Sequence, residues 1–148
     1  MKNKENRNIM KTKAKEARNG SMPWEQEYGY AQAVKLGGTV WVAGQLGTDE
    51  KGILQEGMEK QMQQTYVNIE KLLVSYGMTM DDVVEEVLYV TDIETAFEAR
   101  KKAGRMSYPN AMEVPGTMVE ISRLALPQQV VEIKIIAKKT KSKSHPHK

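Results

Sequence analysis

The spacing of apolar residues changes along the chain and divides it into elements. Ala31, Ala33 and Val34 to Leu36 run as an extended segment into Gly37-Gly38, two glycines that accept positive φ and so mark a hairpin. The β-rich run Thr39-Val40-Trp41-Val42-Ala43 continues to Gly44, and a polar loop at 47–52 follows. From Met58 the period becomes helical. Met58, Met62, Thr65, Ile69, Leu72 and Tyr76 fall three and four apart on one face, and Gly77 stands where a C-terminal glycine belongs. Val83, Val84, Val87, Leu88, Tyr89 and Val90 make a second β-rich run. Thr91-Asp92 can cap a second helix whose face is Ile93, Ala96, Phe97 and Arg100, and Pro109 ends it. Two strands close the chain, 117–124 and 130–137. In the second, apolar residues alternate with Glu132 and Lys134.

The order β-β-α-β-α-β-β predicts an α+β domain with two helices packed on one face of one sheet. A chain of 148 residues has room for one core and nothing left to cover the other face. Self-association through that face is the expectation. Methionines 58, 62, 78, 80, 106, 112 and 118 are read as core fill, because they share no single spacing that would make a copper set.

Composition narrows the chemistry. Cysteine is absent, so disulfides, thiolate nucleophiles and cysteine-based zinc sites go together. Both histidines, His145 and His147, lie in the last four residues. A Ser-His-Asp triad, an HExxH metal site and a histidine general base are thereby excluded from the body. Acid–base work falls to carboxylates, tyrosines, lysines or a bound water. Asp81-Asp82 is the nearest approach to a carboxylate metal site, and paired acids before a strand read as solvated. No cofactor is called for. No stretch reaches the roughly 18 apolar residues of a membrane span or the length of a signal peptide, which points to the cytoplasm and to no membrane partner.

Charge is distributed unevenly. Residues 1–20 carry seven Lys/Arg against two acids, and 138–148 carry five Lys and no acid. The stretch 21–137 holds ten basic and seventeen acidic residues. The basic character therefore belongs to the tails, 1–21 and 139–148, expected as disordered flanks of a single domain over 22–138. An acidic body with basic tails supports only weak, salt-sensitive phosphate contact, so nucleic acid is not the expected partner.

Six segments together resemble the RidA/YjgF family, the reactive-intermediate imine deaminases also described as endoribonuclease L-PSP proteins. They are Tyr30-Ala31-Gln32-Ala33-Val34, the run from Val40 to Gly47, the helix from Gln64 to Gly77, Asp81-Asp82-Val83-Val84 with Val90-Thr91-Asp92, the run from Val119 to Leu124, and the run from Val131 to Ala137. The resemblance spans about residues 28–138. It implies a chorismate-mutase-like α+β fold and a homotrimer whose three sheets line a central barrel, with a small-molecule pocket at each subunit interface.

The family's site carries over with departures. Glu132 matches the glutamate that positions water, and Tyr30 matches the tyrosine of the first strand. Gly116, followed by Thr117, falls where the family has the arginine that grips the substrate carboxylate with two N–H groups. Ala43 replaces the serine before Gly44, which loses a hydroxyl donor. Arg100 stands near the second-helix asparagine, and Lys134 replaces a second acid. Plain structural roles compete with each assignment: Glu132 as a solvated or cross-strand-paired acid, Arg100 as a surface ion pair, Tyr30 as a packing aromatic, Gly116 as a turn glycine.

Several functions stay open on these residues. One is a deaminase or hydrolase acting on C–N bonds of something other than simple 2-imino acids. A second is ordinary imine deamination with Arg100 or Arg123 as a relocated guanidinium. A third is a non-enzymatic ligand-binding or chaperone-like trimer. RNA cleavage, an activity ascribed to some relatives, fits poorly with the acidic body and the placement of the histidines.

Overall fold

The computed structural model describes residues 14–20 and 22–139. Most of both basic tails, with His145 and His147, lies outside the described residues. The elements are β1 (Glu16–Arg18), α1 (Pro23–Tyr28), β2 (Ala33–Leu36), β3 (Thr39–Gln45), α2 (Gly57–Ser75), β4 (Val83–Val90), α3 (Ile93–Ala99), β5 (Gly116–Glu120) and β6 (Val131–Lys138). They form one six-stranded sheet in the order β1-β2-β3-β6-β4-β5. All neighbours are antiparallel except β4 and β5, which are parallel and joined through α3.

α2 lays one face on the sheet. Met62, Tyr66, Ile69 and Leu73 pack on Val40 and Val42 of β3, Leu88 and Val90 of β4, and Val131, Ile133 and Ile135 of β6. Each such aliphatic side chain contributes about 1.5–3 kcal/mol by leaving water. The helix stops as its sequence predicts. Gly77 takes φ 71, its N–H donates to the Val74 carbonyl and that of Met78 to the Leu73 carbonyl, a Schellman motif that only a residue tolerant of positive φ completes cheaply. Asp92 caps α3 by accepting from the Thr95 N–H.

The described residues leave the opposite sheet face uncovered. Val34, Trp41 and Ile136 lie in one cross-strand row, and Tyr89 stands between Glu132 and Val119. Trp41 is 45% and Val119 40% exposed.

Several expectations need correction. Glu16–Arg18, inside the supposed tail, forms an edge strand on β2 with Glu16 opposite Lys35, and Pro23–Tyr28 adds a short helix ahead of the expected elements. The last part of the 93–108 helix widens into a π-helical turn at Arg100–Gly104 before a final turn at Arg105–Ser107. The buried stripe is therefore Ala96, Ala99 and Ala103, while Phe97 is 53% exposed. Met106 and Met112 are 88% and 91% exposed, since the π turn rotates the face that follows it and Met112 sits in a connecting 3₁₀ turn. The strand expected over 117–124 is shorter, Gly116–Glu120.

Candidate functional site

The site begins with a defect in β3. Val42 pairs with Ile135 and Gln45 with Ile133, so Ala43 and Gly44 together oppose Lys134. This is a β-bulge, a device that re-aims side chains and often stands beside active sites. It brings Gly44 under the Glu132 side chain so closely that a Cβ built on Gly44 would fall 2.6 Å from the Glu132 Cδ. Glycine is required here by space. Glu132 is also held from the side: the Gln129 Nε2 donates to its Oε1 at 3.4 Å and to the Val131 carbonyl at 3.2 Å. Gln129 is itself buried, on a loop fixed by Gln61 of α2, which donates to the Gln128 carbonyl and accepts from the Val130 N–H, both at 2.9 Å.

Glu132 opens into a cleft of about 510 Å³ whose walls include Trp24, Tyr28 and Tyr30 with Leu46 and Leu126. α1 presents Trp24 and Tyr28 of this aromatic wall. Its own Glu25 anchors it, accepting from the N–H groups of Gly20 at 2.6 Å and Met22 at 3.1 Å. Burial pushes the Tyr30 phenol up, nearby Glu25 and Glu132 add to this, and hydrogen bonds with the Trp24 and Gln32 side chains work against it. Tyr30 is thus a proton donor at neutral pH rather than a phenolate base. A second hollow of about 310 Å³ shares Trp24, Tyr30, Gly44 and Leu46. Asn68 of α2 shapes it by donating to the Leu46 and Thr48 carbonyls at 3.0 and 2.8 Å.

Of the residues singled out in the sequence, Glu132, Tyr30 and Gly44 meet in this cleft, and Ala43 lines the hollow next to it with Trp41 and Lys134. Gly116, Thr117 and Arg100 do not. β4 separates β5 from Glu132 on β6. Gly116 pairs with Glu86, and a Cβ built on it would sit 3.3 Å from the Glu86 Oε2, on the helix side of the sheet. Arg123 lines a third hollow beyond Ala125, Leu126 and Gln129. Trp24 and Gln129 were not anticipated. A tryptophan in a six-residue helix and a glutamine in a turn leave no periodic signal.

The model sequence of the family described as Endoribonuclease L-PSP matches residues 23–139. The chain belongs to this family, the RidA/YjgF group. A RutC family protein of Aquifex aeolicus (strain VF5) is 31% identical over 112 residues, 74% of this chain and 88% of that protein. Among solved structures, RidA from the Antarctic bacterium Psychrobacter sp. PAMC 21119 is similar with TM-score 0.70 and 29% identity, covering 83% of this chain and 94% of its own. Rv2704 of Mycobacterium tuberculosis, from the YjgF/YER057c/UK114 family, gives TM-score 0.76 and 27% identity over 85% of this chain and 100% of its own. The sheet with its helices on one face is the fold of the RidA/YjgF family.

Within this family member Arg100 is engaged elsewhere. Its Nε and one terminal nitrogen donate to the Glu86 Oε2 at 3.2 and 2.9 Å. The Tyr108 hydroxyl donates to the Glu86 Oε1 at 3.1 Å, and the Tyr66 hydroxyl donates to the same oxygen. The Glu86 side chain is 1% and that of Arg100 20% exposed. Burial works against the guanidinium charge, but the Glu86 carboxylate and its hydrogen bonds outweigh it and hold the Arg100 pKa above its ordinary value. Burial and then Glu86 raise both tyrosines, so they remain protonated donors. No helix among the described residues is long and apolar enough to cross a membrane, and no group of three or more His, Cys, Asp or Glu among them could hold a metal ion.

Proposed function

We propose that this RidA/YjgF-family protein is a small-molecule hydrolase or deaminase whose site is the Glu132 cleft, acting on C–N double bonds of compounds other than simple 2-imino acids. The observation that carries this reading is the Glu132 carboxylate, pinned by Gln129 over Gly44 and facing Tyr30 in a cleft lined, among the described residues, by no guanidinium. Glu132 takes a proton from a water molecule while the water oxygen bonds to the imine carbon and the C=N π electrons move to nitrogen. Tyr30 donates to the developing polar atom. Glu132 passes the proton taken from water to the nitrogen, giving the carbinolamine; a second transfer, from its hydroxyl through Glu132 to the amino nitrogen, accompanies cleavage of the C–N bond, so ammonia leaves and the carbonyl forms. Three copies associate through the uncovered face around Trp41 and Val119, which completes the cleft at the subunit interface.

Relocation of the lost guanidinium to Arg100 is disfavoured, because that side chain is already bidentate on Glu86. A missing bidentate carboxylate grip of roughly 3 kcal/mol lowers catalytic efficiency by more than about a hundredfold. The unmodified protein should therefore leave 2-iminobutyrate, made with an amino-acid oxidase and followed by ammonia release, near the background rate. An imine lacking the carboxylate should be hydrolysed, with a loss of about a hundredfold or more in Glu132→Gln. Gly44→Ala should impair the same reaction by pushing the carboxylate off its seat. Robust hydrolysis of 2-iminobutyrate that survives Glu132→Gln would show that the site lies elsewhere.

A further inference from the structure

We propose that the Glu132 cleft is selective for an organic cation, a protonated amine or iminium ion without a carboxylate group. The inference rests on the reading of this cleft as the site and names its ligand class. Trp24, Tyr28 and Tyr30 form an aromatic wall, and the two charged side chains that line the cleft among the described residues, Glu27 and Glu132, are both acids. Ring faces carry negative quadrupole and attract a cation within about 6 Å, best when water is excluded. A carboxylate opposite the ring turns that attraction into a charge-assisted hydrogen bond for an N–H cation. An anion in the same place meets two like charges, with the Tyr30 hydroxyl and Gln129 as its donors.

The surrounding cations among the described residues do not reverse this. Lys71 stands in the hollow beyond Trp24 and Tyr30, where its ammonium lies 3.7 Å from Glu50. Arg123 and Lys134 line separate hollows, and Arg100 is bound to Glu86. Buried Glu25 stands close enough behind the wall to act on Tyr30. The stretch 21–137 as a whole, with seventeen acids against ten basic residues, adds a field of the same sign. A volume of about 510 Å³ suits a small molecule rather than a macromolecule.

Titration calorimetry of the full chain with three matched probes tests the inference without any substitution: phenylpropylamine, phenylpropanol and phenylpropionate. The amine is expected to bind about tenfold more tightly than the alcohol, and the carboxylate more weakly than the alcohol. Glu27→Gln and Trp24→Leu are each expected to weaken the amine by about fivefold, and Glu27→Gln to leave the alcohol unchanged. An amine no tighter than the alcohol, or a carboxylate as tight as the amine, overturns the inference. Hydrolysis is read separately. Amine preference with no imine hydrolysed leaves the inference standing and removes the catalytic reading. Hydrolysis that depends on Glu132, with the carboxylate probe preferred, does the reverse.

Discussion

Removing the guanidinium of Arg100 while keeping its stem, as Arg100→Met, isolates the buried pair. The loss strands Glu86, whose side chain is 1% exposed, without the two N–H donors on Oε2. Breaking a buried ion pair from one side costs about 3–5 kcal/mol. Two features place this case near the lower end, about 3 kcal/mol: Tyr66 and Tyr108 still donate to Oε1, and Arg100 itself keeps 20% exposure. For a domain of this size that is about 10 °C in Tm. Glu86→Gln alone should cost less, since an amide oxygen still accepts from the tyrosines. The double variant should be more stable than the sum of the two losses by about 2 kcal/mol, the signature of a coupled pair. Urea unfolding of all four proteins, read by circular dichroism at constant m-value, gives the cycle. An Arg100→Met loss under about 1 kcal/mol, additive with Glu86→Gln, refutes the view that this pair is a buried structural unit.

Two further outcomes follow from the same geometry. The folded-state pKa values of Tyr66 and Tyr108 are raised, so the stability tied to their protonation is intact below the unfolded value of roughly 10 and falls as pH rises past it; the double Phe variant should flatten this alkaline limb in pH-dependent melts, and an unchanged slope would count against the donor roles assigned here. Light scattering at micromolar concentration should give about three times the 16.7 kDa chain mass, and Trp41→Lys should shift it towards the monomer, whereas a folded monomer of the unmodified chain removes the interface from the proposed site.

The parts of the fold legible in the sequence are those set by one strong local pattern. The α2 stripe, its Gly77 stop, the Asp92 cap and the alternation of β6 each state their structure in a few residues. What escaped has a physical cause in each instance. Glu16–Arg18 has no apolar period and is a strand because β2 offers it an open edge, a tertiary effect. The π turn at Arg100–Gly104 inserts a residue into an otherwise helical pattern. Glu132 and Tyr30 could be named from resemblance, but what positions Glu132 could not. The bulge at Ala43-Gly44 reads in sequence as plain strand, and Gln129 acts through a tertiary hydrogen bond. Glu86 shares a face with buried Leu88 and Val90 by plain alternation along β4, but nothing in Glu85-Glu86 marks which acid would find an arginine on the facing helix layer.

Gly116 and Arg100 are connected in this chain through Glu86. Gly116 leaves only 3.3 Å between its missing Cβ and the Glu86 Oε2, so a longer side chain here would press on the carboxylate that Arg100 occupies. On the other side, a Cβ built on Gly104 would lie 2.5 Å from the Arg100 Cζ, which makes that glycine a condition for the arginine to reach Glu86. The π turn from Arg100 to Gly104 sets these two residues four apart in a widened coil, so the guanidinium folds back over Gly104 toward the sheet. An acid turned inward, an arginine delivered from the helix layer and two glycines that make space for them thus form one interlocked arrangement. An arginine at 116 would place a second guanidinium against a carboxylate of its own chain already satisfied by four donors. Any gain in carboxylate binding from Gly116→Arg therefore requires Glu86 to be replaced in the same chain.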